Sequence, residues 1–384
     1  MLTEKELEAA IKQITGRIDE VNRLFIKKIA AQLLKIGELN ASSINRIIVM
    51  VDMGKDVREI TRELSQATAM NIRDIYMIYQ AALSDSYTDP RFQEALQAQP
   101  LTPQQSERLT MFAQNVAKQT AKTMMNLSNT TSVMPTYKDA IDRAIVATSA
   151  GLTGYKQAAR EIIRDVGYNG LQVHYASGYH RRLDTAIRQN IIDGVNQINQ
   201  HASLAMGDAL GFDAVEISAH AHSAPDHEPV QGRVFLRSEY EKMQAGFDFY
   251  DVDGKFYEGF RRPIGEWNCM HIAMGFSTKH SKRRYSDEQL KQWEEENAAG
   301  CDINGKHHTI YQARQLMREL ETKVRREKDA ANAARINGND MEARRSHQKS
   351  INALTKKYYA VAQAAGLRAR SDRLSVEGFK MVKV

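Results

Sequence analysis

The chain has 384 residues, more than a single hydrophobic core usually holds, so its length predicts two or three folded units. A composition of 42% hydrophobic and 26% charged residues, with a mean hydropathy of -0.52, excludes a disordered protein. The net charge is only +6, no apolar run is long enough to span a bilayer, and two cysteines cannot make a disulfide framework, so neither a membrane partner nor a disulfide-stapled scaffold is expected.

The N-terminal hundred residues carry the periodicity of long helices. Apolar residues between Leu7 and Phe25 recur at spacings of four and three, which predicts one helix through about residue 40. Its single apolar stripe needs covering, and we expect other protein surface to cover it. Two further helices are predicted over residues 44–51 and 57–83, separated near Gly54.

The next hundred residues are also predicted to be helical. Thr102, Pro103 and Gln105 form the capping signal of a helix that begins at Pro103. Further helices are expected over residues 137–149, 155–166 and 181–210. The chain up to Gly211 is therefore predicted to be helical throughout.

Beyond Gly211 the hydrophobic period shortens from about 3.6 towards two, which indicates a small sheet. Strands are expected over Ala214–Ile217 and Arg233–Leu236, with a weaker one near residues 247–252. A Ser286 cap then restarts helix. Apolar residues at heptad spacing predict a C-terminal helical hairpin with its turn at residues 336–340.

We therefore predict a mainly α chain with a small central α+β module, long N-terminal helices and a C-terminal helical hairpin. The expected segments are residues 1–100, 101–211, 212–284 and 285–384.

Positive charge is concentrated at the C-terminal end. Residues 305–384 hold eighteen Lys or Arg against eight Asp or Glu, a net charge of +10, so the first 304 residues carry a net charge of -4. This asymmetry is typical of a segment that contacts nucleic acid or an acidic protein surface, and a solvated helical face is the alternative. We expect most basic residues on the outside of the hairpin, where Arg325, Arg326, Arg344 and Arg345 would bind double-stranded DNA without sequence preference.

A stretch of about fifty residues in the central module contains three histidines and a Cys-x-His pair. On an extended strand residues i and i+2 face the same way, so His220 can align with His222, and Cys269 with His271. Together with His227 they predict a cluster in which His220, His227, Cys269 and His271 hold a structural zinc ion (Zn²⁺), with His222 as a substitute ligand. Histidines hydrogen-bonded to backbone in a polar core are the alternative.

A nuclease or toxin-like enzyme is a second alternative. Histidines beside Asp226 and Gln231 can act as acid and base in phosphodiester cleavage. The sequence offers no phosphate-binding loop, no nucleophile elbow and no carboxylate pair in a metal-binding frame. No enzymatic activity is therefore predicted.

Several motifs, taken in chain order, resemble the phage minor capsid protein family that is related to the Mu F-like head morphogenesis proteins. They are Tyr175-x-Ser-Gly178, Ala186-Ile-Arg188, Ser218-Ala-His220, Pro225-Asp-His227, Gln231-Gly-Arg-Val-Phe235 and Asn268-Cys-x-His271. The resemblance covers roughly residues 100 to 384. Departures from the family pattern fall at Ala224, Trp267 and Met270, where two arginines and a proline are replaced.

The resemblance implies a structural protein of a tailed bacteriophage head, acting at the portal vertex during head assembly. It implies the portal protein as a partner, with other copies of this chain, the major capsid protein and packaged DNA as further contacts. We expect synthesis in the host cytoplasm, because the charged N-terminal segment lacks the apolar stretch of a signal peptide. The mature location is then the virion.

Overall fold

The computed structural model describes residues 4–38, 43–87, 101–129, 131, 133–149, 155–260, 262–266, 269–336 and 338–384. The chain folds into two compact units, each assembled from three separate stretches. The first unit comprises Met1–Ile11, Ile72–Thr123 and Arg188–Gln312, and the second comprises Lys12–Asn71, Met124–Ile187 and Ala313–Val384. The division into four consecutive segments stays a prediction.

Helices dominate both units, and the predicted fold class is confirmed. The helices before the sheet are α1 Glu4–Glu38, α2 Ser43–Tyr87, α3 Pro103–Asn129, α4 Val133–Ser149, α5 Tyr155–Asn169 and α6 Leu183–Ala209. The capping signal forms as predicted: Thr102 N donates to Gln105 Oε1 at 2.8 Å, and Gln105 N donates to Thr102 Oγ1 at 3.2 Å. None of the described helices is both long and apolar enough to cross a membrane.

The predicted break at Gly54 is wrong, because α2 continues through it. Val49, Met53, Ile60 and Leu64 are all buried, so one apolar stripe runs past the glycine. A glycine inside a helix costs only about 1 kcal/mol relative to alanine, which burial of such a stripe outweighs.

The stripe of α1 does not need another protein to cover it, which corrects the expectation from the sequence. Ile14, Ile18 and Phe25 are at most 2% exposed in the folded chain. Phe25 packs edge-to-face against Tyr137 of α4, with ring centroids 6.3 Å apart. On the same helix, Asn22 Oδ1 accepts a hydrogen bond from the backbone N–H of Leu171 at 2.9 Å.

A β-hairpin interrupts the region that was predicted to be helical throughout. Strands β1 (Gln172–His174) and β2 (His180–Arg182) pair antiparallel. Gly178 lies in the turn with a φ of 80°, a conformation that glycine adopts without steric cost. With three residues in each strand, the two-residue period is too short to appear in the sequence.

The central module is built on a three-stranded antiparallel sheet in the first unit. Strand β3 (Ala214–Ile217) lies between β4 (Val234–Leu236) and β7 (Ala273–Phe276). Helix α7 (Arg237–Gln244) and a two-stranded ribbon of β5 (Phe249–Tyr250) and β6 (Phe256–Tyr257) follow β4. They complete the buried core of the module.

Helix α6 approaches this sheet so closely that two glycines are required. A Cβ added to Gly275 on β7 would lie 2.9 Å from the Cα of Gly207 on α6, and one added to Gly207 would lie 3.0 Å from the Cα of Gly275. Backbone atoms form both contacts, so neither can move aside. This approach brings the polar residues of α6 within hydrogen-bonding distance of the segment that precedes β7.

The C-terminal part begins with α8 (Asp287–Ala299), capped by Ser286 as predicted, and an unpredicted hairpin of β8 (Cys301–Ile303) and β9 (Lys306–His308). Helices α9 (Ile310–Ile336) and α10 (Met341–Ala364) follow. Within the second unit they pack antiparallel, because Glu327 contacts His347 at 2.7 Å and Glu321 accepts from Tyr358 at 3.1 Å. The predicted helical hairpin is confirmed.

Candidate metal centre

Two loops of the central module meet beyond the end of the sheet. The first loop leaves β3 after Ile217 and returns at Gly232, whose N–H donates to the Ile217 carbonyl at 2.8 Å. The second loop precedes β7 and contains Cys269 and His271. Ser218 joins them, since its N–H donates to the Ile272 carbonyl and its Oγ accepts from the Ile272 N–H, each at 2.8 Å.

Three of the predicted ligands come together between these loops. One ligand atom from each of His227, Cys269 and His271 lies within 4.8 Å of the other two. The three side chains are 0%, 2% and 2% exposed. A bulky substrate therefore has no access to them.

The other two histidines are placed differently, and the argument from strand geometry is wrong for them. Strand β3 ends at Ile217, and His222 lies in a turn with a φ of 61°, so His220 and His222 do not share a strand face. His220 instead stacks on His271, with ring centroids 4.6 Å apart and planes 23° apart.

The hydrogen bonds of His227 fix its tautomer. Its Nε2 lies 2.7 Å from the Arg262 carbonyl oxygen, which can only accept, so Nε2 carries the proton. The unprotonated Nδ1 faces Cys269 Sγ at 3.3 Å. Burial lowers the pKa of His227, against the opposing effect of the Arg262 carbonyl, so the ring is neutral near pH 7.

His271 is fixed in the same way through Gln231. The backbone N–H of His220 donates to Gln231 Oε1 at 3.2 Å, which identifies that atom as the amide oxygen. His271 Nε2 lies 3.3 Å from the same oxygen and must carry a proton, so Nδ1, 3.7 Å from Cys269 Sγ, is again unprotonated. Burial, reinforced by neighbouring His220, His227 and Arg262, lowers the pKa of His271 to about 2.

The thiol of Cys269 completes the cluster. Burial raises its pKa, while backbone hydrogen bonds at Gly265 and His271 act in the opposite direction and favour the thiolate. In one backbone hydrogen bond of the sulfur with a defined geometry, Sγ donates to the His271 carbonyl at 3.9 Å.

Arg262 positions His227 from outside the cluster. Its Nε and Nη2 form a paired contact with the two carboxylate oxygens of Asp226, at 2.9 and 2.8 Å. Burial of Asp226 raises its pKa, but the bonds and charges of Arg262 and His227 lower it to a net value below the ordinary one. Nη2 also lies 3.5 Å from His227 Nδ1, a long contact beside its bond to Asp226.

Sequence reasoning missed the residues that hold the second loop and β7. On α6, Asn196 donates to the Cys269 carbonyl at 3.2 Å, and Gln200 accepts from Ala273 N at 3.0 Å. Ser203 Oγ accepts from Gly275 N at 3.3 Å. These polar residues recur at spacings of four and three along one buried face of the helix, and this pattern is the signal that could have identified them.

The four arginines of the predicted DNA-binding surface are not equivalent. Arg325 forms an ion pair with Asp184, and Arg344 is 8% exposed and donates to the Lys380 carbonyl at 3.1 Å. The expected outward position is therefore wrong for these two. Arg326 lies over the Tyr168 ring at 5.5 Å, while Arg345 is exposed on α10.

Comparison with protein-family models gives a match over nearly the whole chain. A family model described as phage minor capsid protein 2 matches residues 2–359 of the chain. No curated protein and no solved structure matches it. Of the residues that carried the resemblance, Asn268 lies outside the described residues, as does the departure at Trp267.

Proposed function

Because the chain belongs to the phage minor capsid protein 2 family, we propose that this structural capsid component acts at the portal vertex of a tailed bacteriophage head. The match over nearly the whole chain supports a structural role in the capsid, and the proposal builds on it. We place the protein in the assembling head, with the portal protein as its main partner and other copies or the major capsid protein as further contacts.

The burial of the histidine cluster favours this structural role over a nuclease. General acid–base catalysis requires the catalytic group to reach a proton of the substrate. The rings of His227 and His271 are at most 2% exposed, and their ring N–H groups already donate to Arg262 and Gln231. A phosphodiester could reach them only after the loops had opened.

The direct test is the composition of the particle. Purified procapsids and virions of the phage that encodes the chain should contain it in few copies relative to the major capsid protein, and chemical cross-linking should join it to the portal protein. Deletion of its gene should leave heads that are defective. Its absence from both particle types would overturn the structural assignment, and cross-links to the major capsid protein alone would overturn the portal-vertex assignment.

Exposed apolar side chains on α1 and α2 are the candidate contact surface. Leu34, Met50 and Val51 are 53%, 49% and 53% exposed. Glutamate at Leu34 and Val51 should reduce co-purification with co-expressed portal protein by about tenfold or more, because burying an unpaired carboxylate at an interface is costly.

Matched controls lie on the same helix. Thr61→Glu and Gln66→Glu add the same charge at exposed positions of α2 and should leave co-purification unchanged. Equal behaviour of the two pairs would exclude this surface as the portal contact.

We further propose that α10 contacts packaged DNA. Of the four arginines expected from the sequence, only Arg345 belongs to the proposed surface. Arg345, Lys349 and Lys356 are exposed, and their spacing of four and seven places them on one face of the helix. Lys357 is exposed next to them. No base-reading motif accompanies these residues, so contacts to phosphate should dominate.

The salt dependence of binding tests this surface on the full-length chain. Four phosphate contacts predict a slope of about -3.6 in log affinity against log salt concentration. Alanine at all four positions should flatten the slope and weaken every duplex sequence alike. A variant with alanine at four exposed lysines elsewhere, Lys118, Lys122, Lys279 and Lys291, loses the same charge and should keep the slope. Equal slopes for both variants would exclude α10.

A further inference from the structure

Two ring nitrogens of the histidine cluster face one sulfur atom. His227 Nδ1 and His271 Nδ1 are both unprotonated, because the opposite nitrogen of each ring donates to a fixed acceptor. Both face the same Cys269 sulfur, at 3.3 and 3.7 Å. A thiol has one proton and can donate it to one of the two nitrogens, while Arg262 Nη2 lies 3.5 Å from His227 Nδ1 as a second, long donor. Two lone pairs and a sulfur nevertheless converge on one buried point, which is the arrangement of donor atoms that a metal ion requires.

The distances match the edges of a zinc tetrahedron. With Zn–S near 2.3 Å and Zn–N near 2.05 Å, a tetrahedral angle places sulfur and nitrogen about 3.6 Å apart. The two observed Sγ···Nδ1 distances, 3.3 and 3.7 Å, bracket that value. A hydrogen-bonded polar core explains one of these contacts but gives no reason for both.

We infer that His227 Nδ1, Cys269 Sγ and His271 Nδ1 bind one Zn²⁺, with a water molecule as the fourth ligand. Imidazole nitrogen and thiolate are ligand types that favour zinc over the hard cations, which prefer oxygen ligands. On binding, the Sγ–H bond breaks, its proton passes to solvent, and the sulfur electron pair forms the bond to the ion. No electron transfer is involved.

The outer shell already has the arrangement that such a site requires. Ligating histidines usually donate their second ring N–H to a carbonyl or carboxylate, which fixes the ring. His227 donates to the Arg262 carbonyl and His271 donates to Gln231 Oε1. The ion would join the loop after β3 to the loop before β7, a link beyond the sheet itself.

His220 is assigned a positioning role and not a ligand role. The lone pair of a ligating nitrogen lies in the ring plane and points at the ion. The rings of His220 and His271 are stacked and nearly parallel, so their lone pairs do not converge on one point. The backbone N–H of His220 contributes instead, because it orients the Gln231 amide that fixes His271.

Metal analysis of the full-length protein is the first test. Protein purified without chelator should carry about one equivalent of zinc, and removal of the metal should lower its melting temperature. Cobalt added to the metal-free protein should give a thiolate-to-cobalt charge-transfer absorption in the near ultraviolet. Well under one equivalent of zinc together with no cobalt absorption would overturn the site.

The chain offers a matched cysteine control. Cys269→Ser should abolish the cobalt absorption and weaken zinc binding by more than about 100-fold, beyond the 10–100-fold typical of an outer-shell loss. Cys301→Ser removes the other free cysteine, half-buried on β8, and should change neither. Metal binding that survives Cys269→Ser and is lost with Cys301→Ser would refute the ligand set, and wild-type cobalt spectra remain decisive if either variant misfolds.

Two further variants separate ligands from positioning residues. Gln231→Leu removes the acceptor of His271 Nε2 and should weaken zinc binding about 10–100-fold while retaining the cobalt absorption. His220→Ala keeps the backbone N–H and should retain about one equivalent of zinc. Loss of the metal from His220→Ala would overturn the three-ligand assignment in favour of a fourth protein ligand.

Discussion

The two compact units both bury polar side chains, but they do so with opposite chemistry. In the first unit the cluster of His227, Cys269 and His271 contains neutral rings whose lone pairs face one sulfur. In the second unit Arg182 lies between Asp184 and Asp329, at 3.2 and 2.6 Å, with all three at most 5% exposed. The buried charges of this second cluster pair with one another, whereas the first cluster consists of neutral rings and a thiol.

The largest expected effect comes from breaking the ion cluster of the second unit. Asp329→Ala leaves Arg182 buried with one of its two partners missing, and such a loss costs about 3–5 kcal/mol of the free energy of unfolding. Glu319→Ala on the same helix removes an exposed ion pair with Lys323 and should cost below about 1 kcal/mol. Urea denaturation of both variants measures the difference. Equal losses would show that the cluster is no stronger than a surface pair.

The pH dependence of Asp19 sharpens the contrast, because here burial beside the ion cluster penalises a charge. Burial, aided by the charge of Asp329, raises the pKa of Asp19 to about 6 against the opposing effect of arginines. The folded state then binds the proton more tightly than the unfolded state, whose pKa is 3.8. Stability from this group is present below about pH 4 and is lost as the pH rises through about 6, by up to about 3 kcal/mol.

Asp19→Asn removes this dependence, so the variant should match the wild type near pH 4 and exceed its stability at pH 7. Asp52→Asn is the control of opposite sign, since a hydrogen bond from Lys35 lowers the pKa of Asp52. Unfolding midpoints between pH 4 and pH 7 check Asp19, and midpoints below about pH 4, where the contribution of Asp52 is lost, check Asp52. A wild type whose stability does not fall over this range relative to Asp19→Asn would contradict the raised pKa.

An intermediate effect is expected at the neutral cluster. In chelator-treated protein, Gln231→Leu removes the acceptor shared by His220 N and His271 Nε2, and leaving buried donors unsatisfied costs about 1–3 kcal/mol. Gln292→Leu, at an exposed position of α8, should cost well below 1 kcal/mol. Thermal denaturation distinguishes the two. A Gln231→Leu variant as stable as Gln292→Leu would show that Gln231 does not position His271.

The helices were predictable because their apolar stripes are local in sequence, as between Leu7 and Phe25. What covers a stripe is not local: Tyr137 packs on Phe25 from more than a hundred residues away. The same limit applies to Gly54, where the gain from burial along α2 decides between a break and a continuous helix.

The cluster itself was predictable in composition but not in geometry. The sequence indicated that His227, Cys269 and His271 could meet, yet the strand argument that aligned His220 with His222 does not hold in the fold. The ring N–H of His227 donates to a main-chain carbonyl, and that of His271 donates to a side-chain amide that the backbone of another residue orients. Neither acceptor leaves a recognisable pattern of residue types in the sequence. The ion pair between Arg325 and Asp184 is equally invisible, because the two residues are distant in the chain.

The smallest expected effects compare how each unit caps a helix. Ser286 Oγ accepts from Gln289 N at 3.2 Å in the first unit, and its replacement by alanine should cost about 1 kcal/mol. Asp340 Oδ1 accepts from Ala343 N at 3.1 Å in the second unit, while its other oxygen pairs with Arg160 at 2.7 Å.

Asp340→Asn keeps the cap and removes only the charge. The Arg160 side chain is 54% exposed and that of Asp340 is 7% exposed, so solvent screens the pair from the arginine side. The loss should therefore not exceed the roughly 1 kcal/mol of Ser286→Ala. Asp340→Ala removes both cap and pair and should exceed it. Urea denaturation of the three variants gives the order. If Asp340→Asn costs as much as Asp340→Ala, the charge and not the cap stabilises α10, and the reliance of the second unit on paired charges extends to its surface.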